Sequence, residues 1–222
     1  MPEVTLTFDN GPTPGVTERV LEVLEERGLR ATFFVIGNKV LQPGGRELAE
    51  HARSQGHWIG NHTMSHGDPL GLLADPDRAL AEITDTQKVL GDLAEPQRLF
   101  RPTGHGSVGP HLLSVETADF LKANEFTVAL WTLFVRDSKV PVGWVDRALE
   151  RLPENENHVL VVHDLPTGAM DELPRFLDSA EARGYTFVQE FPLASTPMRL
   201  GRTDPGFDTS FVQPPRSETG VH

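Results

Sequence analysis

The sequence predicts an α/β fold, a distorted (β/α) barrel of about seven parallel strands. Short runs rich in β-formers alternate with amphipathic segments of helical period along residues 4–190. That alternation builds a parallel sheet with right-handed crossovers. In addition, Asp9, His62, Arg101, Asp137 and His163 each fall at or just beyond the C-terminal end of a different predicted strand. An open doubly wound sheet gathers its ligands at a switch point between a few strands, whereas a closed barrel brings many strand ends to one mouth.

Each element has its own signal. VTLTF (4–8) alternates and reads as a strand. Over 14–27, Val16, Val20, Leu21 and Leu24 recur at helical spacing, and Gly28 closes the helix. ATFFVI (31–36) is a short apolar run, as in a strand buried on both faces. A polar amphipathic helix over 46–55 ends at Gly56 and leads into HWIGN (57–61), a brief strand. Asp75 and Pro76 form a cap and first helical position for a helix reaching about residue 93. Residues 99–101, 127–133, 159–163 and 185–188 read as strands, with helices near 114–124, 143–152 and 170–183 between them. One domain over 1–195 results. Residues 196–222 hold Pro197, Pro205, Pro214 and Pro215 without periodicity, and read as an irregular C-terminal tail on the surface or disordered.

Composition removes several function classes. With 32 acidic against 20 basic residues and a net charge of −12, neither nucleic acid nor an anionic membrane surface is an expected partner. The absence of cysteine excludes disulfides, thiolate metal sites and a Cys nucleophile. Met1 is followed almost at once by strand-like sequence, and no apolar run approaches the roughly 20 residues of a spanning helix, so cytoplasmic residence is the expectation. No pattern specifies an oligomeric state.

The first strand ends in FDNGP (8–12). A Gly-Pro turn accounts for Gly11 and Pro12 but not for Asp9 and Asn10 presented together at its mouth. NHTMSH (61–66) places His62 and His66 four apart, which on a helical turn brings both imidazoles within reach of one cation, or leaves them as surface residues. Asp68 follows, as a cap or a further ligand. Arg101, leaving a strand before Pro102, reads as a bridge between carboxylates or as a site residue. His163 ends the apolar run VLVV, where an imidazole is partly buried and tunable near neutrality, in a site or simply in the core. His51, His57, His105, His111, His158 and His222 lack such context and read as surface or turn residues.

TFDNGP, HTMSH, FRPTG (100–104), LWTLFVRD (130–137) and LVVHD (160–164) occur in this order. Together they resemble the polysaccharide deacetylases of the NodB-homology type, carbohydrate esterase family 4, over about residues 4–190. The resemblance implies a distorted (β/α) barrel with its site at the strand C-termini and a hydrolase acting on a non-peptide C–N bond. The expected substrate is an N-acetylated carbohydrate, or another amide. It assigns Asp9 as general base, His62 and His66 as ligands of a divalent metal (zinc, or cobalt or nickel), and Arg101 as the group that orients Asp9. His163 becomes the general acid, with Asp137 orienting it. Residues Pro102 and Thr103, the latter through its backbone N–H, would lie against the reacting group.

Three departures matter. The family's opening motif carries a second aspartate as a metal ligand, and Asn10 stands there, a neutral donor that would hold the cation more weakly. Thr103 replaces an aromatic residue, leaving Trp131 as the remaining candidate sugar platform. Thr132 and Phe134 occupy positions where the family carries carboxylates. Three readings follow: a metal-assisted N-deacetylase, a metal-independent hydrolase of another linear or cyclic amide using Asp9, Arg101 and His163, and a non-catalytic carbohydrate-binding relative.

Overall fold

β1 (Glu3–Asp9) is the strand from which the site is built, and its neighbours explain why. It pairs in parallel with β7 (Asn157–His163) along its whole length, Glu3 beside Asn157 through to Asp9 beside His163. Parallel neighbours in register share a face, so the pairing alone delivers Asp9 and His163 to the same strand end. The other edge of β1 is divided: β2 (Thr32–Val35) pairs beside Thr7–Asp9, and β8 (Thr186–Val188) beside Glu3–Thr5. The computed structural model describes residues 1–94 and 97–214.

In chain order, β1 is followed by α1 (Thr17–Glu26), β2, the short α2 (Gly37–Val40), α3 (Gly45–Ser54), β3 (Trp58–Asn61) and α4 (Pro76–Leu90). Then come β4 (Leu99–Phe100), α5 (Val115–Ala123), β5 (Thr127–Val128), β6 (Leu133–Phe134), α6 (Trp144–Arg151), β7, α7 (Leu173–Glu181) and β8. The expected α/β alternation therefore holds, and Asp75 caps α4 by accepting from the backbone N–H of Asp77 and Arg78. The helix α2 carries no sequence signal of its own; its four residues are too few to show a period.

The sheet runs β6-β7-β1-β2-β3-β4-β5 in space and curls into a barrel with a seam between its ends. The strand expected over 127–133 is in fact two. β5 pairs with β4, β6 pairs with β7, and the chain between them crosses the seam. Ala129 donates to Phe100 O on one side and Thr132 to Val159 O on the other, while Leu130 donates to Ser195 O. The seam cannot close by ladder bonds because one connecting segment must serve both banks. The barrel is distorted for that reason.

The proposed boundary at residue 195 requires correction. β9 (Met198–Arg199) pairs antiparallel with β5 and with β10 (Arg202–Thr203), and α8 (Phe207–Phe211) follows. Met198, Phe207 and Val212 are buried in a cluster with Phe100, Leu121 and Phe126. Residues 196–214 thus complete the core beneath α4 and α5 rather than forming an irregular tail; single apolar residues spaced by turns leave no period to read. The rest of that predicted tail, 215–222, lies outside the described residues, as does His222. The larger core cluster packs β1, β2 and β7 against α1, α6 and α7. Among the described residues no helix is long and apolar enough to cross a membrane.

Candidate active site

At the C-terminal ends of β1, β3, β4 and β7 one cavity of about 440 Å³ is lined by Asp9, Asn10, His62, His66, Pro102, Trp131 and His163. Arg101 lies directly beneath, wholly buried. Its Nη1 donates to Asp9 Oδ1 at 2.7 Å and to Thr7 Oγ1 at 2.8 Å, and Nε and Nη2 donate to Ala129 O and Leu130 O at the seam. The guanidinium also lies 4.0 Å from the Phe34 ring centroid. Burial alone would raise the Asp9 pKa, but Arg101 above all, then His62 and His163, hold it below the ordinary carboxylate value. Asp9 is therefore an ionised carboxylate in a dry place.

The imidazoles are set by their second nitrogens. His62 Nδ1 lies 2.8 Å from Arg101 O. A carbonyl only accepts, so Nδ1 carries the proton and Nε2 keeps its lone pair, 3.6 Å from Asp9 Oδ2. The His66 ring lies 4.8 Å from that of His62, centroid to centroid. The expected helical turn is absent: Thr63 and His66 adopt positive φ (66° and 54°), and this bend brings the rings together. Burial lowers the pKa of both, His66 to about 3 with His62 adding to the effect. Both are neutral at physiological pH, the form in which histidine ligates. Asp68 is exposed and does not line the cavity.

Asn10 takes φ 73°, a left-handed conformation asparagine tolerates, and its Oδ1 is buried without a hydrogen-bond partner among the described residues. An orphaned acceptor beside two imidazoles with bare nitrogens fits a divalent cation. Among the described residues, no three His, Cys, Asp or Glu side chains are grouped to hold one, so the amide oxygen would have to serve as the third donor.

His163 faces the same cavity. Its Nδ1 lies 2.8 Å from Asp137 Oδ1, and its backbone N–H donates to Asp137 Oδ2 at 2.8 Å. Burial would depress its pKa, but the Asp137 hydrogen bond and charge, with Asp9 and Asp164 adding, raise it above the ordinary histidine value. Imidazolium is the favoured form, with Nε2–H left for the cavity.

The relation of this geometry to known proteins is direct. The model of the family described as "Polysaccharide deacetylase" matches residues 1–127. The chain belongs to the polysaccharide deacetylase family. It is 28% identical over 195 residues to the peptidoglycan-N-acetylmuramic acid deacetylase PdaC of Bacillus subtilis, covering 83% of this chain and 37% of that protein. It is 27% identical over 213 residues to the peptidoglycan-N-acetylglucosamine deacetylase PgdA of Listeria monocytogenes, 90% of this chain and 40% of that one. This deacetylase-family chain thus spans well under half the length of these two curated relatives. Among solved structures, the family 4 carbohydrate esterase from Streptomyces lividans, in complex with acetate, superposes with a TM-score of 0.70 at 28% identity, over 88% of this chain and 96% of that one. The PdaC structure superposes with a TM-score of 0.67 at 29% identity, over 84% and 87%.

Two of the residues expected for substrate in a polysaccharide deacetylase sit differently with respect to the cavity. Thr103 is buried and outside the cavity lining, so its side chain offers substrate nothing. Trp131 does line the cavity, half-buried, 6.0 Å from the Arg101 guanidinium. His57 and His158, expected at the surface, are buried: His57 accepts from Ala31 N–H, and His158 Nε2 lies 2.9 Å from Leu152 O. His105, also expected at the surface, is exposed but sits on the cavity rim.

Other lining residues were not among the expected site residues. Phe134 lies edge-on to the His163 ring, and Val161 stands two residues before His163 on the same strand face, a period-2 relation legible in the sequence. Gly106, at φ 85°, crosses the Phe134 ring where a Cβ would lie 2.6 Å from it; this approach had no signal in the chain. Arg136, Ser138 and Lys139 complete the rim.

Proposed function

We propose that the chain hydrolyses the acetamide of an N-acetylated carbohydrate, releasing acetate and leaving a free amine. The observation that supports this most is that a carboxylate held ionised, Asp9, and an imidazole held protonated, His163, share one cavity with the His62–His66 pair. Groups whose environments push their pKa values apart mark base and acid.

His62 Nε2, a His66 ring nitrogen and Asn10 Oδ1 would hold a divalent metal, zinc or alternatively cobalt or nickel. When bound, such an ion would supply Lewis acidity toward the acyl carbonyl and a water of lowered pKa. Asp9, kept charged by Arg101, accepts the proton of the attacking water. Attack forms a C–O bond at the acyl carbon. His163 gives its Nε2 proton to the nitrogen as the C–N bond breaks, so that an amine leaves rather than an amide anion. Asp137 holds the ring so that Nε2 faces the cavity and stabilises the imidazolium. The Trp131 ring offers a face for the sugar.

Acetate release from N-acetylglucosamine oligomers, measured after chelation and again after adding zinc, cobalt or nickel, tests the proposal. Release that needs the metal and disappears in Asp9→Ala is expected. No release with any of the three ions overturns it. Release that survives chelation but not Asp9→Ala selects the metal-independent hydrolase, a reading favoured by one observation, the neutral Asn10 in the donor set.

A further inference from the structure

We propose that Arg136 and Lys139 select a substrate bearing a carboxylate beside its N-acyl group; this rests on the deacetylase reading above. The chain carries a net charge of −12, yet its cavity is lined by both of these cations and by a single carboxylate, Asp9. Asp9 is already matched by the Arg101 guanidinium beneath it. Neither the Arg136 nor the Lys139 side chain has an ion pair or hydrogen bond among the described residues. Other basic residues are engaged: Arg101 with Asp9, Arg175 with Asp146 and Glu172, Lys122 with Asp208.

The segment that presents them is held in shape. Asp137, between them, is turned inward onto His163 by two hydrogen bonds. Arg136 takes φ 58°, and the N–H groups of Lys139 and Val140 close onto its carbonyl at 3.2 and 2.8 Å. From α6, Arg147 spends its guanidinium on the same loop, donating to Val135 O and Val142 O at 3.0 Å each and to Val140 O. The turn that fixes the orienting carboxylate of the acid therefore also fixes two unpaired cations at the wall beside it. A neutral sugar leaves them without a counter-charge. A carboxylate supplies charge-assisted hydrogen bonds, with the planar fork of Arg136 suited to a bidentate grip. Both side chains reach solvent, so salt must weaken the effect.

The test compares an alternating oligomer of N-acetylglucosamine and a carboxylate-bearing N-acetylated sugar with the same oligomer after its carboxyls have been amidated, a change of charge with little change of shape. For the metal-loaded wild type we expect kcat/KM at least about tenfold higher on the acidic form, mostly through KM and shrinking as salt rises. In R136Q/K139Q, checked for folding by circular dichroism, that ratio falls to about one. A wild-type ratio of one, or a ratio the double substitution leaves intact, overturns the proposal. If neither oligomer releases acetate, the deacetylase reading falls, and calorimetric affinities decide the inference separately. Tighter binding of the acidic form that is lost in R136Q/K139Q upholds it; equal or absent binding overturns it.

Discussion

Arg101 and Asp9 form an ion pair of 2.7 Å with both side chains out of solvent, and the same Arg101 offers its backbone carbonyl to His62. One residue therefore holds Asp9 ionised and fixes the tautomer of His62. Removing one member of a buried pair strands the other charge, at a cost of about 3–5 kcal/mol. Arg101→Met is expected to lose stability of that order in urea unfolding and to reduce activity by at least about 100-fold, because Asp9 no longer stays ionised. Arg101→Lys should not rescue it, since one ammonium cannot span Asp9, Ala129 O and Leu130 O.

The His163–Asp137 pair predicts a pH effect. The His163 pKa is raised, so the imidazolium persists above the ordinary histidine range and is lost as pH rises through the elevated value. Asp137→Asn removes the negative charge and lowers that pKa. The alkaline limb of the kcat profile should then move to lower pH, with kcat at the former optimum reduced. An alkaline limb that stays in place would show that His163 is not the titrating acid.

Asn10→Asp adds a charged oxygen to the proposed donor set. Two unit charges about 4 Å apart at an effective dielectric of about 20 interact by about 4 kcal/mol before desolvation. If about 1.4–2.8 kcal/mol of this remains, metal affinity rises about ten- to a hundred-fold. Competition with a fluorescent chelator measures it. Without metal, the same substitution sets a second carboxylate beside Asp9, so the metal-free variant should melt below the wild type and the metal-loaded one should not.

Asp164 is buried with Oδ1 unpaired among the described residues, and desolvation raises its pKa to about 7. A carboxyl with a raised folded pKa is stabilising to bury while protonated, and stability falls as pH rises from the unfolded value toward about 7. Asp164→Asn, which mimics the protonated form, should change stability little at pH 4. It should raise stability at pH 8 by no more than about 4 kcal/mol, the equivalent of the full shift. Thermal melts at the two pH values read the difference; equal effects at both would mean that the Asp164 pKa is not raised in the folded chain.

Local patterns made much of this molecule readable. Asp75-Pro76 opened α4 where expected, the apolar runs of β2 and β7 were visible as buried strands, and Gly28 and Gly56 follow α1 and α3. Asp9, His62, His66 and His163 could be placed on one mouth because the C-terminal ends of parallel strands share one side of a barrel. Where reading failed, the cause was a length or a conformation with no local signature. Residues 127–133 looked like one strand but serve both banks of the seam. Met198, Phe207 and Val212 are isolated apolar residues that find a core only in three dimensions. His62 and His66 meet through left-handed residues rather than through a helical turn.

By itself, then, the chain determined its alternation of strands and helices, because these follow from spacing and side-chain type, and its motifs carried the resemblance that pointed to its family and to candidate acid, base and ligand residues. Tertiary structure alone decided which nitrogen of His62 is bare, that Arg101 is wholly buried with its guanidinium also held by Ala129 O and Leu130 O, that the Thr103 side chain is buried, and that Arg136 and Lys139 stand at the rim without a partner among the described residues. Those properties depend on burial and on partners far apart in the chain, and both are set only when the sheet curls and brings its strand ends together.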